Sequence, residues 1–302
     1  MAEHPTIGFI GAGRAANVVG TALAKAGYEV VAVGSRTRES ADSVASAIRA
    51  AGTADCLSAE IQEVVNGAEL VLITTTDGAI AEVAASLAWR RGQKVAHCSG
   101  ALGADVLGEA LNQGAEVGSW HPFQTLAGTA TLEGVTFGIE AGSGLYQVLA
   151  EMSRAVGGVA LNVPADARPL YHAASVLACG YLTTLLREAR RVWEAAGLPE
   201  DAGRKAIGAV AEATLANVRA LGEGATITGP VSRGDTDTVR LHLESISEAV
   251  PQLLPLYTAI SRRSAVLSLE AGQSTQSLNK WDELYAEAAP VLAQPPLMKE
   301  EG

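Results

Sequence analysis

Two glycines at a fixed spacing, Gly11 and Gly13, follow the short apolar run Ile7–Ile10, and a helical pattern opens directly after them at Arg14 and Ala15. Glycine at the first position permits a tight turn, and glycine at the second lets the backbone come close to a ligand. The helix start behind them offers free N–H groups and a favourable dipole to an anion. The chemistry this suits is the cradling of a dinucleotide pyrophosphate, by Gly11, Gly13, Arg14 and Ala15. About 20 residues beyond such glycines an acidic residue would bond a ribose 2′-hydroxyl. Here the second apolar run ends instead in Ser35-Arg36-Thr37-Arg38. A hydroxyl and two guanidinium groups suit a 2′-phosphate, so NADP(H) is expected in preference to NAD(H). The plainer alternative is that these arginines are solvated loop charges.

Further polar groups stand where later apolar runs end. Thr75 and Asp77 follow one, Ser99 and Gly100 another, and His121-Pro122-Phe123-Gln124-Thr125 a third. Ligands of open α/β sheets sit outside the carboxyl ends of the strands, so these residues are expected to share one crevice with Gly11 and Gly13. Asp77 reads equally well as a helix N-cap, and His121 equally well as a structural histidine. In the second half of the chain, His172 lies in a helical pattern. The loop Thr228-Gly229-Pro230-Val231-Ser232-Arg233-Gly234-Asp235 has the character of a rigid functional loop. Arg233 there, with Arg168 as a second candidate, suits a substrate carboxylate, while Asp235 either orients Arg233 or caps the helix that follows. His242 shares a helix face with Asp235 and reads as a core or subunit-contact histidine.

The elements that must position these groups alternate. Strands are expected over 7–10, 28–34, 54–57, 69–74, 93–98 and 116–120, closing with 135–139 and 159–163. Helices are expected over 15–27, 40–51, 59–66, 78–89 and 144–156. From Asp166 onward the strands disappear, and helices are expected over 168–196, 200–221, 235–248, 252–271 and 275–289. The implied fold class is α/β, a Rossmann-type doubly wound parallel sheet followed by an all-helical domain. The expected division is 1–163 for the nucleotide-binding domain, 164–293 for a helical substrate and dimerisation domain, and 294–302 for a flexible tail. The 302 residues accommodate two domains, and 48% hydrophobic with only 4% aromatic content implies a core of Ala, Val and Leu.

A formal net charge of −11 argues against a nucleic-acid partner. No apolar run is long enough to span a bilayer, so no membrane partner is expected. Cys56, Cys98 and Cys179 are far apart and follow no metal spacing, and no signal peptide precedes Ile7. They read as reduced thiols in a cytoplasmic protein with no metal site. The apolar helices of the second domain must bury more than one face, which points to a homodimer.

Five motifs taken together carry a resemblance. Gly11-x-Gly13-Arg14, His97-Cys98-Ser99-Gly100-Ala101, His121-Pro122-Phe123-Gln124-Thr125, Tyr171-His172-Ala173-Ala174 and the loop from Thr228 to Asp235 span nearly the whole chain. The combination resembles Rossmann-like NADP-binding oxidoreductases with a helical C-terminal domain of unknown function. In layout these are similar to the wider superfamily of 6-phosphogluconate, 3-hydroxyacid, ketopantoate and pyrroline-5-carboxylate enzymes. The resemblance implies an NADPH-dependent reductase of a small, anionic carbonyl or imine compound, ketopantoate among the candidates. It also implies a Lys three residues before the Tyr-His pair and an Asn further along, as proton donor and substrate orienter. Those positions hold Arg168 and Gly180. Arg cannot release a proton near neutrality and Gly has no side chain. Either His172 or His121 therefore takes over as donor, or the chemistry is reduced or lost. The competing reading is a non-catalytic NADP(H)-binding module that acts on a partner.

Overall fold

The computed structural model describes residues 4–53, 55–127, 131–273 and 278–287. The chain divides into two compact units, 1–180 and 181–302.

In the first unit the apolar runs over 7–10, 30–34, 70–73 and 94–97 become the central strands of one sheet, buried on both faces as helical crossovers require, while the strands over 57–58 and 159–162 at its two edges are largely exposed. In order these are β1 (Ile7–Ile10), α1 (Arg14–Lys25), β2 (Val30–Gly34), α2 (Arg38–Ala51), β3 (Leu57–Ser58), α3 (Ile61–Gly67) and β4 (Leu70–Ile73). Then come α4 (Asp77–Ala85), β5 (Lys94–His97), a 3-10 turn at Ala104–Leu107, α5 (Gly108–Asn112) and β6 (Glu116–Pro122). The unit continues with β7 (Thr136–Ala141), α6 (Ser143–Ala155), β8 (Val159–Asn162) and α7 (Arg168–Val176). The strand order is β3-β2-β1-β4-β5-β6-β7-β8. The order reverses direction at β1 and β4, the switch point of a Rossmann sheet, beside which ligands bind. The sheet is parallel except at one place: β6 and β7 pair antiparallel, with His121 opposite Gly138 and Ser119 opposite Glu140. The stretch between them supplies no crossover helix among its described residues, so β7 returns alongside β6 instead of repeating its direction.

Two cores cover the two faces. Phe9, Leu23, Val33, Ile48, Trp120 and Leu149 fill one, and Ile10, Val64, Val71, Ile73, Ile80 and Leu107 the other. Gly20 of α1 admits the Ile48 side chain of α2 so closely that a Cβ there would lie 2.7 Å from it. That contact seats α1 against α2, and Ala16 on the same helix is fully buried.

Sequence expectation and structure differ at several elements. The helix expected over 78–89 stops at Ala85, and Trp89 instead donates its indole N–H to the Ala84 carbonyl at 2.8 Å. The short α5 and the 3-10 turn before it carry no strong periodicity and were not expected. The strand expected over 54–57 is only Leu57–Ser58, and Ala54 lies outside the described residues. The first compact unit also runs past Pro164 to Gly180, so α7 belongs with the sheet.

The second unit is helical: α8 (Leu182–Ala195), α9 (Glu200–Leu221), α10 (Glu223–Thr226), α11 (Thr236–Ala249), α12 (Leu254–Glu270) and α13 (Leu278–Glu287). The single helix expected over 168–196 is broken by a π turn, Leu177–Tyr181, between α7 and α8. Val239, Leu243, Leu254, Trp281, Leu284 and Tyr285 form the unit's core. The tail expected over 294–302, and the end of the last expected helix, lie outside the described residues.

Candidate functional site

Gly11 leaves β1 at φ +103°, in the left-handed region that favours glycine. A Cβ there would stand 2.8 Å from the Thr74 carbonyl carbon and the Thr75 nitrogen, so the turn and the end of β4 touch backbone to backbone. Its N–H bonds the Gly34 carbonyl at 2.8 Å, and Thr74 Oγ1 donates to its carbonyl at 2.8 Å. Gly11, Thr75 and the end of β2 therefore meet at one sheet edge. Gly13 is the N-cap of α1 and supplies no capping side chain. The first N–H groups of this 12-residue helix are thus left for an external acceptor. Arg14 is exposed and Ala15 half-buried at that helix start.

Ser35 is half-buried at the end of β2, and Arg36 and Arg38 are exposed beside it. Among the described residues Arg14, Arg36 and Arg38 enter no ion pair. Asp77 is exposed at the first position of α4, and the N-cap is Thr76. The N-cap alternative for Asp77 is thereby corrected by one residue: it is a first-turn acid, favourable to the helix dipole.

The segment after β5 is tied down group by group. His97 Nε2 bonds the Gly103 carbonyl at 2.9 Å, and its Nδ1 accepts from Ser99 N–H at 3.2 Å. Ser99 Oγ accepts from Ala101 N–H at 3.3 Å and Leu102 N–H at 3.2 Å. Ser119 Oγ donates to the Ser99 carbonyl at 3.2 Å. The Ser99 hydroxyl oxygen thus builds its own loop. Gly100, next to it, has no room for a side chain. A Cβ there would lie 2.8 Å from His121 Nε2, from His121 Cε1 and from His172 Cδ2. Gly100, His121 and His172, far apart in sequence, are brought together.

One face of β6 and β7 carries Ser119, His121, Gly138 and Glu140, while Trp120 and Phe137 stack on the other with ring centres 4.7 Å apart. Over the first face lies α7. Tyr171 Oη sits 2.9 Å from His121 Nδ1 and 3.5 Å from the His121 carbonyl. A Cβ on Gly138 would lie 2.5 Å from the same oxygen, which is why glycine stands there. Burial raises the Tyr171 phenol above its ordinary value, so it stays a donor. The 2.9 Å contact serves either partner as donor; with Tyr171 donating to Nδ1, the His121 ring proton sits on Nε2. Burial first, then the charges of His172, Arg168 and His97, hold His121 down at about 4. It is a neutral imidazole at neutral pH. Burial likewise lowers His97, and it pushes the Cys98 thiol up to about 12, which removes that cysteine as a nucleophile.

Arg168 opens α7 and is 1% exposed. Its Nε donates to Glu140 Oε2 at 2.5 Å, its Nη1 reaches the Ser99 carbonyl at 3.5 Å, and its buried Nη2 has no partner among the described residues. A buried donor left unmet costs about 1 to 3 kcal/mol. Residue reading from sequence missed Glu140 and His97 as parts of this cluster. The available signal was an acid inside the otherwise apolar strand Thr136–Ala141.

Arg233 and Asp235 belong to the second unit. Their loop is a closed turn in which Arg233 N–H bonds the Gly229 carbonyl and Asp235 N–H the Pro230 carbonyl. Arg233 is exposed and enters no ion pair among the described residues. Asp235 caps α11, accepting from Thr238 N–H at 3.0 Å and Thr238 Oγ1 at 2.7 Å. These bonds hold its carboxyl below the ordinary value. Of the two roles expected for Asp235, the structure supplies the cap. His242 bonds Tyr257 Oη through Nδ1 at 2.7 Å. Among the described residues no group of three or more His, Cys, Asp or Glu is placed to hold a metal ion, and no helix is long and apolar enough to cross a membrane.

Comparison with known proteins adds the following. Residues 3–122 match the Rossmann-like domain family, and residues 135–264 match a family described as a domain of unknown function (DUF2520). No curated protein matches the sequence. Among solved structures, a candidate NADP oxidoreductase from Bacteroides fragilis superposes with a TM-score of 0.73 at 23% identity, over 87% of this chain and 98% of its own. A pyrroline-5-carboxylate reductase from Coxiella burnetii gives 0.60 at 15% identity, over 93% of this chain and 99% of its own. A reductive aminase from Aspergillus terreus, in complex with NADPH and ethyl levulinate, gives 0.62 at 16% identity, over 94% of this chain and 100% of its own. At these identities the likeness is one of fold.

Proposed function

We propose that the chain is an NADP(H)-dependent oxidoreductase that reduces a small carbonyl or imine acid, with a ketopantoate-like compound as one candidate substrate. The observation that carries the reading is that Gly100, His121, Tyr171 and His172 converge at the sheet that also bears the Gly11 turn and the arginines after β2. The residues at the first edge fit the cofactor. Gly13 supplies no capping side chain at the start of α1, and Arg36 and Arg38 after β2 enter no ion pair among the described residues. Gly11, Gly13, Arg14 and Ala15 would hold the pyrophosphate, and Ser35, Arg36 and Arg38 the 2′-phosphate. Thr75, Asp77, Ser99 and Gly100 complete the proposed wall. When bound, NADPH supplies the hydride.

What remains is proton and charge management by this chain's own side chains. His121, neutral and fixed by Tyr171 at Nδ1, offers Nε2–H as a hydrogen-bond donor to a carbonyl or imine without giving up its proton. Its depressed value excludes it as a proton source at neutral pH. His172, half-buried beside His121 over Gly100, is the proposed proton donor. Arg233, exposed and in no ion pair among the described residues, keeps its proposed role towards an anionic group of the substrate. No disulfide joins Cys56, Cys98 and Cys179, in keeping with the cytoplasmic setting that we include in the proposal.

One observation favours the second reading, a binding module without turnover. Arg168, where the resemblance implies a lysine acid, is sealed in an ion pair with Glu140. Calorimetric titration with NADPH and NADH, followed by a screen of 2-keto acids and cyclic imines, separates the readings. We expect NADPH to bind in preference to NADH. Arg36→Ala should weaken NADPH about 10- to 100-fold and leave NADH unchanged, as loss of one charge-assisted phosphate contact implies. Tight NADPH binding with no turnover on any substrate would favour the module. Binding of neither nucleotide would overturn both readings.

A further inference from the structure

The loop from Ser99 to Ala104 is held at both ends by one ion pair. Glu140 Oε1 accepts from Ala104 N–H at 3.2 Å, and Glu140 Oε2 accepts from Arg168 Nε–H. At the other end Arg168 Nη1 reaches the Ser99 carbonyl at 3.5 Å, a long bond reinforced by Ser119 Oγ on the same oxygen. The pair joins the start of α7 to the C-terminal end of β7 and grips the loop between them. Gly100 lies inside that grip, and its α-carbon face is the surface on which His121 and His172 rest. A shift of the loop by a fraction of an ångström must therefore displace both imidazoles. It would also loosen the Tyr171 bond that selects the His121 tautomer.

We propose that Arg168 and Glu140 are positioning residues: the pair clamps the Ser99–Ala104 loop so that Gly100 holds His121 and His172 in place and His121 presents Nε2–H. The guanidinium cannot act as an acid, and its burial leaves it no solvent-facing task. This explains how an arginine serves at a position where the resemblance implies a lysine. The placement of the imidazoles is a property of the chain alone, and its catalytic consequence rests on the reductase reading above.

The test uses the full-length protein labelled with 15N-histidine, with long-range proton–nitrogen spectra of the imidazoles recorded for wild type, Arg168→Met, Arg168→Lys and Glu140→Gln. In wild type, His121 should show a single tautomer protonated at Nε2. In Arg168→Met that signal should move towards a tautomer mixture, with Arg168→Lys retaining part of the wild-type pattern, since one ammonium can reach Glu140 or Ser99 but not both. Where wild type turns over a substrate, Arg168→Met should lower kcat at least about 10-fold and change KM for NADPH less than about 2-fold. A side chain that merely supports the fold would lower Tm and leave the imidazole signals unchanged, and that outcome overturns the proposal. Should Arg168→Met not fold, the nearly isosteric Glu140→Gln gives the same reading. Altered His121 signals with no turnover in wild type would sustain the clamp and overturn the reductase assignment instead.

Discussion

In its proposed role His121 is a donor that never becomes an imidazolium, and its burial imposes the neutral state at a cost that pH exposes. Its value falls from the ordinary 6.5 to about 4 on folding, chiefly through burial. The unfolded chain therefore binds more protons than the folded one between these limits, and stability rises with pH across that window. The contribution is fully present above about pH 6.5 and is lost as pH falls towards about 4. Its size is about 2 kcal/mol between about pH 7.5 and about pH 5. His97, lowered in the same direction by burial, adds to the slope. Urea unfolding at the two pH values should show this loss in wild type and a shallower one in His121→Gln; identical slopes would contradict it. The residues of this site were unequally legible. His121 and Gly100 stood at the ends of apolar runs, where sheet topology puts ligand groups. Glu140 did not, because an acid in an isolated strand reads as solvent-facing until β7 is known to return antiparallel beneath α7.

Among the elements, the central parallel strands β1, β2, β4 and β5 were plain in sequence because burial on both faces makes them apolar runs. The break between α7 and α8 was not. The apolar-rich sequence runs through Leu177–Tyr181 without interruption, and one Gly costs a helix only about 1 kcal/mol. Nor could sequence decide between two roles for Asp235, since an aspartate beside an arginine and before a helix suits either. In the structure both of its oxygens are taken by Thr238. Asp235→Ala should therefore cost about 1 kcal/mol of stability, the usual worth of an N-cap, with Asp235→Asn or Asp235→Ser recovering most of it. Chemical denaturation resolves a difference of that size. A cost well below it would mean that the loop closed by Gly229 and Pro230 holds the helix end without the cap.

At the scale of the whole chain, the two compact units differ in how completely they bury their apolar surface. The sheet unit closes a core on each face. In the helical unit α8 has no buried residue and the 22-residue α9 buries only Gly203. Leu185, Val210, Leu215 and Leu221 are left exposed on these two helices, and clustered exposed apolar side chains mark association surfaces. We expect a homodimer to cover them. Sedimentation at micromolar concentration should give a dimer for wild type and a shift towards monomer for Val210→Glu combined with Leu215→Glu. A monomeric wild type would refute the expectation. The scarcity of aromatics has an optical consequence. Of the four tryptophans in the chain, two are sealed from water, Trp120 at 0% exposure in the sheet unit and Trp281 at 1% in the helical unit. Each unit thus carries its own shielded fluorophore. Replacing both indoles of one unit, Trp89 with Trp120 or Trp193 with Trp281, would let the melting of the sheet half be watched separately from that of the helical half, within one unlabelled molecule.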